Sequence, residues 1–584
     1  MAKEEIRKVL RQALLELKKE KGVGDFDMQE ISFEHPENPD HGDYATNIAF
    51  VLAKRLGRNP REVADRIVSC TKYHVPRTTS IEKIEVAGSG FINFFLSPHW
   101  LEEQLLRSWK EKEKVGQNTS LKGKKIMVEY AHPNTHKEMH VGHMRTLITG
   151  EALARIFEAC GARVFRANYQ GDVGPHVAKA IWGIEKIFQE RAIPWKQAQK
   201  LNVQEKARLL GEGYVRGNQE YEQQKDRIDE LNRKLYERAK DTMSIYKKTR
   251  TWSLDYFDSI YKRFGTRFDK LYFESEVADR GKKIVLKDRG NIFQESNGAV
   301  IFEGEKYGLH TRVFITQDGH PTYEGKEMGL APMQYKDFPF DLNIHVVASE
   351  QSAYFQVVFK ALELIDEKFK GRECHLSMGM VQLVGKKMSS RTGVVITIDH
   401  LLSEIKTLLS RLIKNEGLTP AEQKRIQEIG AIAAVKYSML RVDPKADVMF
   451  DLKSSVSLEG DSGPYLLYTY ARCKSILRKA KFRISNVGFR SHKEHFSKEE
   501  LDILRLAYRF EEIVREAAEK FEPNLICGFA FDLAQTYNTF YHSHSVLQAE
   551  TKEKQEFRLL LTAAVAQVIS NSLSLLGIQT LEKM

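Results

Sequence analysis

The chain is predicted to be a multidomain α/β protein: a Rossmann-type parallel sheet carrying a helical insertion, an α+β module before it and an all-α bundle after it. Three observations predict this. First, KKIMVEYA (124–131), a helical recurrence through Val141, Met144, Leu147, Ile148, Ile156 and Phe157 that stops at Gly161, and ARVFRANY (162–169) compose a strand–helix–strand unit. Second, from about 185 to 265 the chain is dense in Lys, Glu, Arg and Gln with almost no proline, the composition of a solvated helical insertion. Third, after ITIDHLL (396–402) the pattern stays helical to Met584.

The elements follow in order. Residues 1–107 read as an amphipathic helix from MAKEEIRKVL, a loop ENPDHGDYATN, a helix IAFVLAKRL and a strand pair ending in IEVAGSGFINFFL. EKEKVGQNTSLKGKK then serves as a linker. The sheet is expected over 122–410, resuming after the insertion with GAVIFEGE, TRVFITQDG and LNIHVVAS, and the bundle over 417–584.

Size and charge bound the function. At 584 residues, length alone suggests roughly three or four domains. Lys+Arg of 90 against Asp+Glu of 79 leaves +11 and a pI near 9.0, which favours a polyanionic partner. Five scattered cysteines without a CxxC pair indicate neither a disulfide framework nor a cysteine zinc site, so no protein-held metal is expected and a reducing cytoplasm fits. No apolar run reaches membrane-spanning length and the first residues are charged, so no membrane partner is expected.

The chemistry concentrates in two segments. In VEYAHPNTHKEMHVGHMRT (128–146), His140, Gly142 and His143 fall where a strand gives way to a helix N-terminus, a place that favours phosphate. Gly142, lacking a Cβ, would let a nucleotide approach the backbone. Far downstream GKKMSSRTG (385–393) supplies cations and hydroxyls, which a pyrophosphate leaving group needs. A third segment, Leu466 to Lys493, holds eight Lys/Arg and no acid, with Tyr468, Tyr470, Phe482 and Phe489 interleaved. Cations for phosphates and rings for unstacked bases suit single-stranded RNA.

Together these segments resemble the two ATP-binding signatures of class I aminoacyl-tRNA synthetases, and the whole chain resembles the arginyl-tRNA synthetases. HGDYATN (41–47) and GSGFINFFL (88–96) are similar to that family's N-terminal domain, NYQGDVG (168–174) to the loop after its first signature, and GAIAAVKYSML through the C-terminus to its helical anticodon-binding domain. The resemblance implies activation of L-arginine with ATP and Mg²⁺, then transfer to tRNA, with adenylate formation requiring bound tRNA. A monomer is implied. It also implies that His140, His143, Lys137, Lys387 and Arg391 are catalytic, and that Gly142, Met388 and Ser389 join His140, His143 and Lys387 in holding ATP. Asn134, Glu274, Tyr323, Glu327 and Gln351 would hold arginine, whose rigid cationic fork suits carboxylates and a flat ring. Phe91 and Asn93 would meet the tRNA elbow, and Tyr468, Arg472 and Lys479 would contact tRNA through the bundle.

Four positions depart from the family pattern. Glu327 stands where Asp is usual, His132 where Ser is usual, and Tyr354 where His is usual. Ser390 replaces the second lysine of the downstream signature, a loss that Lys137 would offset. The rivals are a class I synthetase for another amino acid, such as cysteine or glutamate, and a catalytically silent tRNA-binding relative.

Overall fold

The computed structural model describes residues 2–18, 31–71, 75, 80–385, 397–413, 417–482 and 496–584. They form two compact units. One comprises Met1–Val115, Arg472–Phe510 and Asp532–Ile569; the other comprises Gly116–Ala471, Glu511–Phe531 and Ser570–Met584.

In the first unit a three-stranded antiparallel sheet runs in the order Tyr44–Thr46, Phe91–Leu96, Ile81–Ala87. The expected helix Ile48–Leu56 is present and a second helix, Pro60–Thr71, follows it. The expected loop ENPDHGDYATN contains the edge strand Tyr44–Thr46, because Asp43 donates its N–H to Phe94 O at 2.8 Å and accepts the Leu96 N–H on Oδ2 at 2.7 Å. Both partners are remote in sequence, so no local pattern shows the strand. Arg505 closes on the other Asp43 oxygen at 3.0 Å. One expectation needs correction: helix Lys552–Leu575 is long and apolar enough to cross a membrane, but 78% of its apolar window is buried inside the protein, as in a core helix.

The second unit is built on five parallel strands, in sheet order Glu373–Met378, Leu342–Ala348, Lys125–Glu129, Arg163–Gln170, Lys270–Phe273. The chain builds outward from Lys125–Glu129 in one direction, then returns to its other side with Leu342–Ala348. That reversal opens a crevice beyond the carboxyl ends of the strands, where doubly wound sheets bind ligands. The expected strands near 298 and 312 do form, at Ala299–Phe302 and Arg312–Ile315, but they do not rejoin the parallel sheet. With Gln294–Ser296 they make a separate antiparallel sheet, since their short connection permits a hairpin whereas parallel neighbours need a long crossover. The insertion begins earlier than expected, with helix Pro175–Glu190, and ends with helix Lys240–Arg263.

Candidate active site

Helix Val141–Ala159 starts at the crevice, and its two histidines cap it reciprocally. The Gly142 N–H donates to His140 Nδ1 at 3.1 Å and the His140 N–H donates to His143 Nδ1 at 3.3 Å, with the rings 3.8 Å apart. With Nδ1 accepting, each neutral ring must carry its proton on Nε2. Burial, reinforced by Lys137, lowers His140 to about 4; burial, then His140 and Lys137, pushes His143 well below its usual value. Both are therefore neutral near pH 7, each with a single N–H donor left over from capping. Gly142 has a nearer reason for its missing side chain than ligand access: a Cβ there would sit 3.0 Å from the His140 ring.

The loop that delivers these histidines holds Ala131, His132 and His136 at φ of 77°, 44° and 65°. Such residues cost about 1–3 kcal/mol each and persist only where their surroundings over-determine them. The Thr135 N–H donates to Gly171 O at 2.9 Å and the His136 N–H to Ser253 Oγ at 2.8 Å, while the His136 ring lies between Thr135 Oγ1 and Thr249 Oγ1. Strand end and insertion helix thus pin the loop from both sides.

Lys137 leaves this loop with its ammonium 4.2 Å from the centre of the Tyr214 ring, on insertion helix Val203–Gln219. Lys137, His140, His143, Asn134, Tyr214 and Thr397 line a cavity of about 900 Å³. Lys387, Met388, Ser389, Ser390 and Arg391 lie outside the described residues. The segments leading to and from them are held against the first signature. The Arg145 guanidinium donates to the carbonyls of Gly379 (2.6 Å) and Ala446 (2.7 Å), just before strands Val381–Leu383 and Val448–Phe450, and Thr397 pairs with the His140 backbone.

Beyond it, buried acids cluster around the ends of the neighbouring strands. Glu274 begins the helix that follows Lys270–Phe273. Its neighbour Ser275 is fixed by Asp172, which takes the Ser275 N–H at 2.9 Å and also Tyr246 and Arg250 of the insertion. A Cβ at Gly171 would collide with Asn134 Oδ1 and lie 3.3 Å from Glu274 Oε1, so glycine lets those two groups converge. Helices Glu274–Lys287 and Tyr323–Asp337 touch through Gly281 and Gly325, where a Cβ on Gly281 would overlap the Gly325 carbonyl. This close approach sets Lys326 against Glu274. Glu274 and Glu327 both act electrostatically on the buried Tyr169 hydroxyl, which has no hydrogen-bond partner among the described residues.

Glu327 is buried and hydrogen-bonded by Tyr354. Burial, then the charge of Glu129, pushes its carboxyl up to about 8 despite opposition from His345. His345 lies between Glu129 Oε1 (3.1 Å) and Glu373 Oε2 (2.8 Å), across three adjacent strands. Burial disfavours its charge, but the two carboxylates outweigh burial and hold it as imidazolium, which in turn keeps Glu129 ionised. The His132 ring stands 3.7 Å from Glu129. Tyr323 is exposed at the pocket mouth, and Gln351 is exposed at the end of the short turn Ser349–Gln351.

Comparisons with known proteins identify the family. Residues 104–452 match the family described as tRNA synthetases class I (R), catalytic domain; residues 4–96 match the arginyl tRNA synthetase N terminal domain, and 466–584 the DALR anticodon binding domain. Curated arginine–tRNA ligases of Treponema denticola (31% identical, 95% of each chain covered) and Bacteroides thetaiotaomicron (30%, covering 93% of this chain and 94% of the relative) are similar along nearly their whole lengths. The chain belongs to the arginyl-tRNA synthetases. Among solved structures, its fold is that of the Thermus thermophilus arginyl-tRNA synthetase (TM-score 0.81, 23% identity, both chains fully covered). The Plasmodium falciparum enzyme is also similar (TM-score 0.78, 20% identity, covering 100% of this chain and 99% of that one).

In the first unit Phe91 is exposed to solvent, edge-on to Phe50, whereas Asn93 is only 5% exposed between its two flanking strands. On helix Gly463–Lys479, Tyr468 is half-buried, Arg472 donates to Asn538 Oδ1 at 2.6 Å, and Lys479 is exposed. Tyr470 is core and Phe482 packs on Trp109; Arg483, Phe489, Arg490 and Lys493 lie outside the described residues. Several residues of the crevice escaped the sequence reading of this synthetase. Glu129 and His345 carried a signal: charged groups inside strands buried on both faces must find partners. Tyr169, Tyr214 and Lys326 carried none that a lone sequence displays.

Proposed function

We propose that the crevice activates L-arginine with ATP and then passes the arginyl group to the 3′-terminal adenosine of tRNA. The arginine carboxylate attacks the α-phosphorus, and negative charge gathers on the transition state. His140 and His143 each direct one Nε2–H at that charge; neutral donors fixed beforehand reorganise little during the step. Lys137, with Lys387 and Arg391, stabilises the departing pyrophosphate, while Gly142, Met388 and Ser389 hold the nucleotide. Mg²⁺ would accompany ATP, since this ion commonly rides on substrate phosphates.

Asn134, Glu274, Tyr323, Glu327 and Gln351 hold arginine. What supports this is that Glu274 and Glu327, from two helices in close contact at Gly281 and Gly325, both act on the buried Tyr169 hydroxyl. Phe91, Asn93, Tyr468, Arg472 and Lys479 serve tRNA. Residues 1–107 act as the elbow-binding domain, 122–410 as the catalytic domain and 417–584 as the anticodon-binding domain, in line with the three matched families, although the catalytic match runs on to 452. The enzyme works in the cytoplasm as a monomer.

The reciprocal histidine cap carries the chemical reading, because it fixes both tautomers without a ligand. Aminoacylation assayed with arginine and with each other amino acid tests it: charging should be confined to arginine, and ATP–pyrophosphate exchange should be nearly absent until tRNA is added. Equal charging of lysine or citrulline would remove the arginine assignment.

A further inference from the structure

Lys326 lies between two residues assigned to arginine and is itself almost completely buried. Its ammonium donates to Glu274 Oε2 at 2.6 Å, stands 5.0 Å from the Tyr323 ring centre, and is met by the Tyr236 hydroxyl from the insertion. The other Glu274 oxygen, Oε1, faces Gly171 and Asn134. We propose that Lys326 is a positioning residue for the amino-acid pocket: it clamps one oxygen of Glu274 so that the second is presented, charged and correctly turned, to the substrate guanidinium. This rests on the assignment of Glu274 to arginine made above.

The surroundings make such a clamp necessary. Glu274 is faced by Asp172 from the loop after the second strand, by Tyr169 from that strand, by Tyr236 from the insertion and by Tyr323 and Lys326 from the neighbouring helix. Asp172 is occupied by Arg250, Tyr246 and Ser275, and nearby His176 is held neutral by burial, with its Nε2 on Gly171 O. Among these groups Lys326 supplies the cation in direct contact. Burial pushes the Glu274 carboxyl up and Asp172 adds to that, while Lys326 opposes both, so losing Lys326 would shift the acid toward its neutral form and weaken its attraction for a guanidinium.

Arginine KM in tRNA charging, measured with the full-length enzyme from mild acid to about pH 9, tests the inference. Lys326→Met should raise arginine KM at least about tenfold near pH 7, the scale on which a buried charge loses its partner, while ATP KM stays unchanged. The excess should shrink as pH rises, because the freed carboxyl then ionises, and Lys326→Arg should restore most of the affinity. An unchanged KM, or a rise that is equal at every pH and not rescued by arginine, overturns the proposal. The double variant Lys326→Met/Glu274→Gln leaves no unpaired buried charge and keeps the test readable if the single variant unfolds. Its KM should match that of Glu274→Gln alone; a higher value means Lys326 acts otherwise. Glu274→Gln separates the two claims: if it leaves arginine KM unchanged, the arginine assignment itself fails, whereas a raised KM beside a normal Lys326→Met defeats only the role of Lys326.

Discussion

The two ends of the crevice meet burial with opposite consequences. At the nucleotide end, His140 and His143 lose any charge they could carry and remain as neutral donors, with Lys137 parked over Tyr214 as the nearby cation. At the amino-acid end, His345 pairs with Glu129 and Glu373 and keeps Glu129 ionised, Lys326 pairs with Glu274 and opposes the effect of burial on it, and Glu327 is pushed up to about 8. A transition state that gathers negative charge needs donors that are aimed rather than charged, whereas a cationic substrate needs carboxylates that stay ionised before it arrives. The same dry environment serves both only because partners are supplied at one end and withheld at the other.

The sharpest way to break this contrast is at His143. His143→Asn retains an acceptor for the His140 N–H but removes the Nε2–H, so ATP–pyrophosphate exchange should fall by about 10²–10³ with folding intact. His143→Gln, which misplaces the acceptor, should add a loss of thermal stability of about 1 kcal/mol from the cap. If the Asn variant stays fast, the histidines are caps and nothing more.

Lys137→Ala should come next, slowing adenylate formation by roughly 10² and far more than Ser390→Ala, since a hydroxyl cannot replace a cation facing pyrophosphate. Equal, small effects would place the compensating cation elsewhere.

At the other end the contrast can be titrated. The Glu327 carboxyl is raised to about 8, so below that pH it is mostly neutral and cannot pair with a guanidinium. Arginine KM should therefore fall as pH climbs from 6 and level off above about 8. Glu327→Gln should flatten that dependence and raise KM most at high pH, by an amount equivalent to about 2 kcal/mol. Glu327→Asp should retain partial activity, its shorter reach weakening the bond to Tyr354. A wild-type KM independent of pH would mean that Glu327 is already ionised.

The smallest effect lies outside the crevice. Lys479→Gln should reduce the salt slope of tRNA binding by about 0.7–0.9, one phosphate's share, because Lys479 is exposed. Arg472→Gln should change stability more than slope, since Arg472 is committed to Asn538. An unchanged slope for Lys479→Gln would leave that face merely solvated.

How much could be read beforehand differs between the two ends for a physical reason. The cap involves residues three apart at one helix start, and helical periodicity with its N-terminal polar residues is a local property, so helix Val141–Ala159 and the placement of its histidines at that start follow from the sequence itself. Strand Lys125–Glu129 and the insertion were legible for the same reason. The pairing at the other end was not: the resemblance named Glu274 and Glu327, but Lys326 meets Glu274 because Gly281 and Gly325 let two helices touch, and a Gly–Gly approach leaves no periodic mark. Nor did the hairpin-forming strands near 299 and 312 differ in pattern from the parallel strands; only the short link between them decided their sheet.

By itself, then, the sequence determined where phosphate chemistry could occur, through a strand, a loop and a capped helix N-terminus whose geometry is local. Its full-length resemblance determined which family's reaction to expect. Only the tertiary structure decided which carboxylates keep their charge, because that depends on which cation is buried beside each one, and the energy of a buried charge is set by neighbours brought from far along the chain.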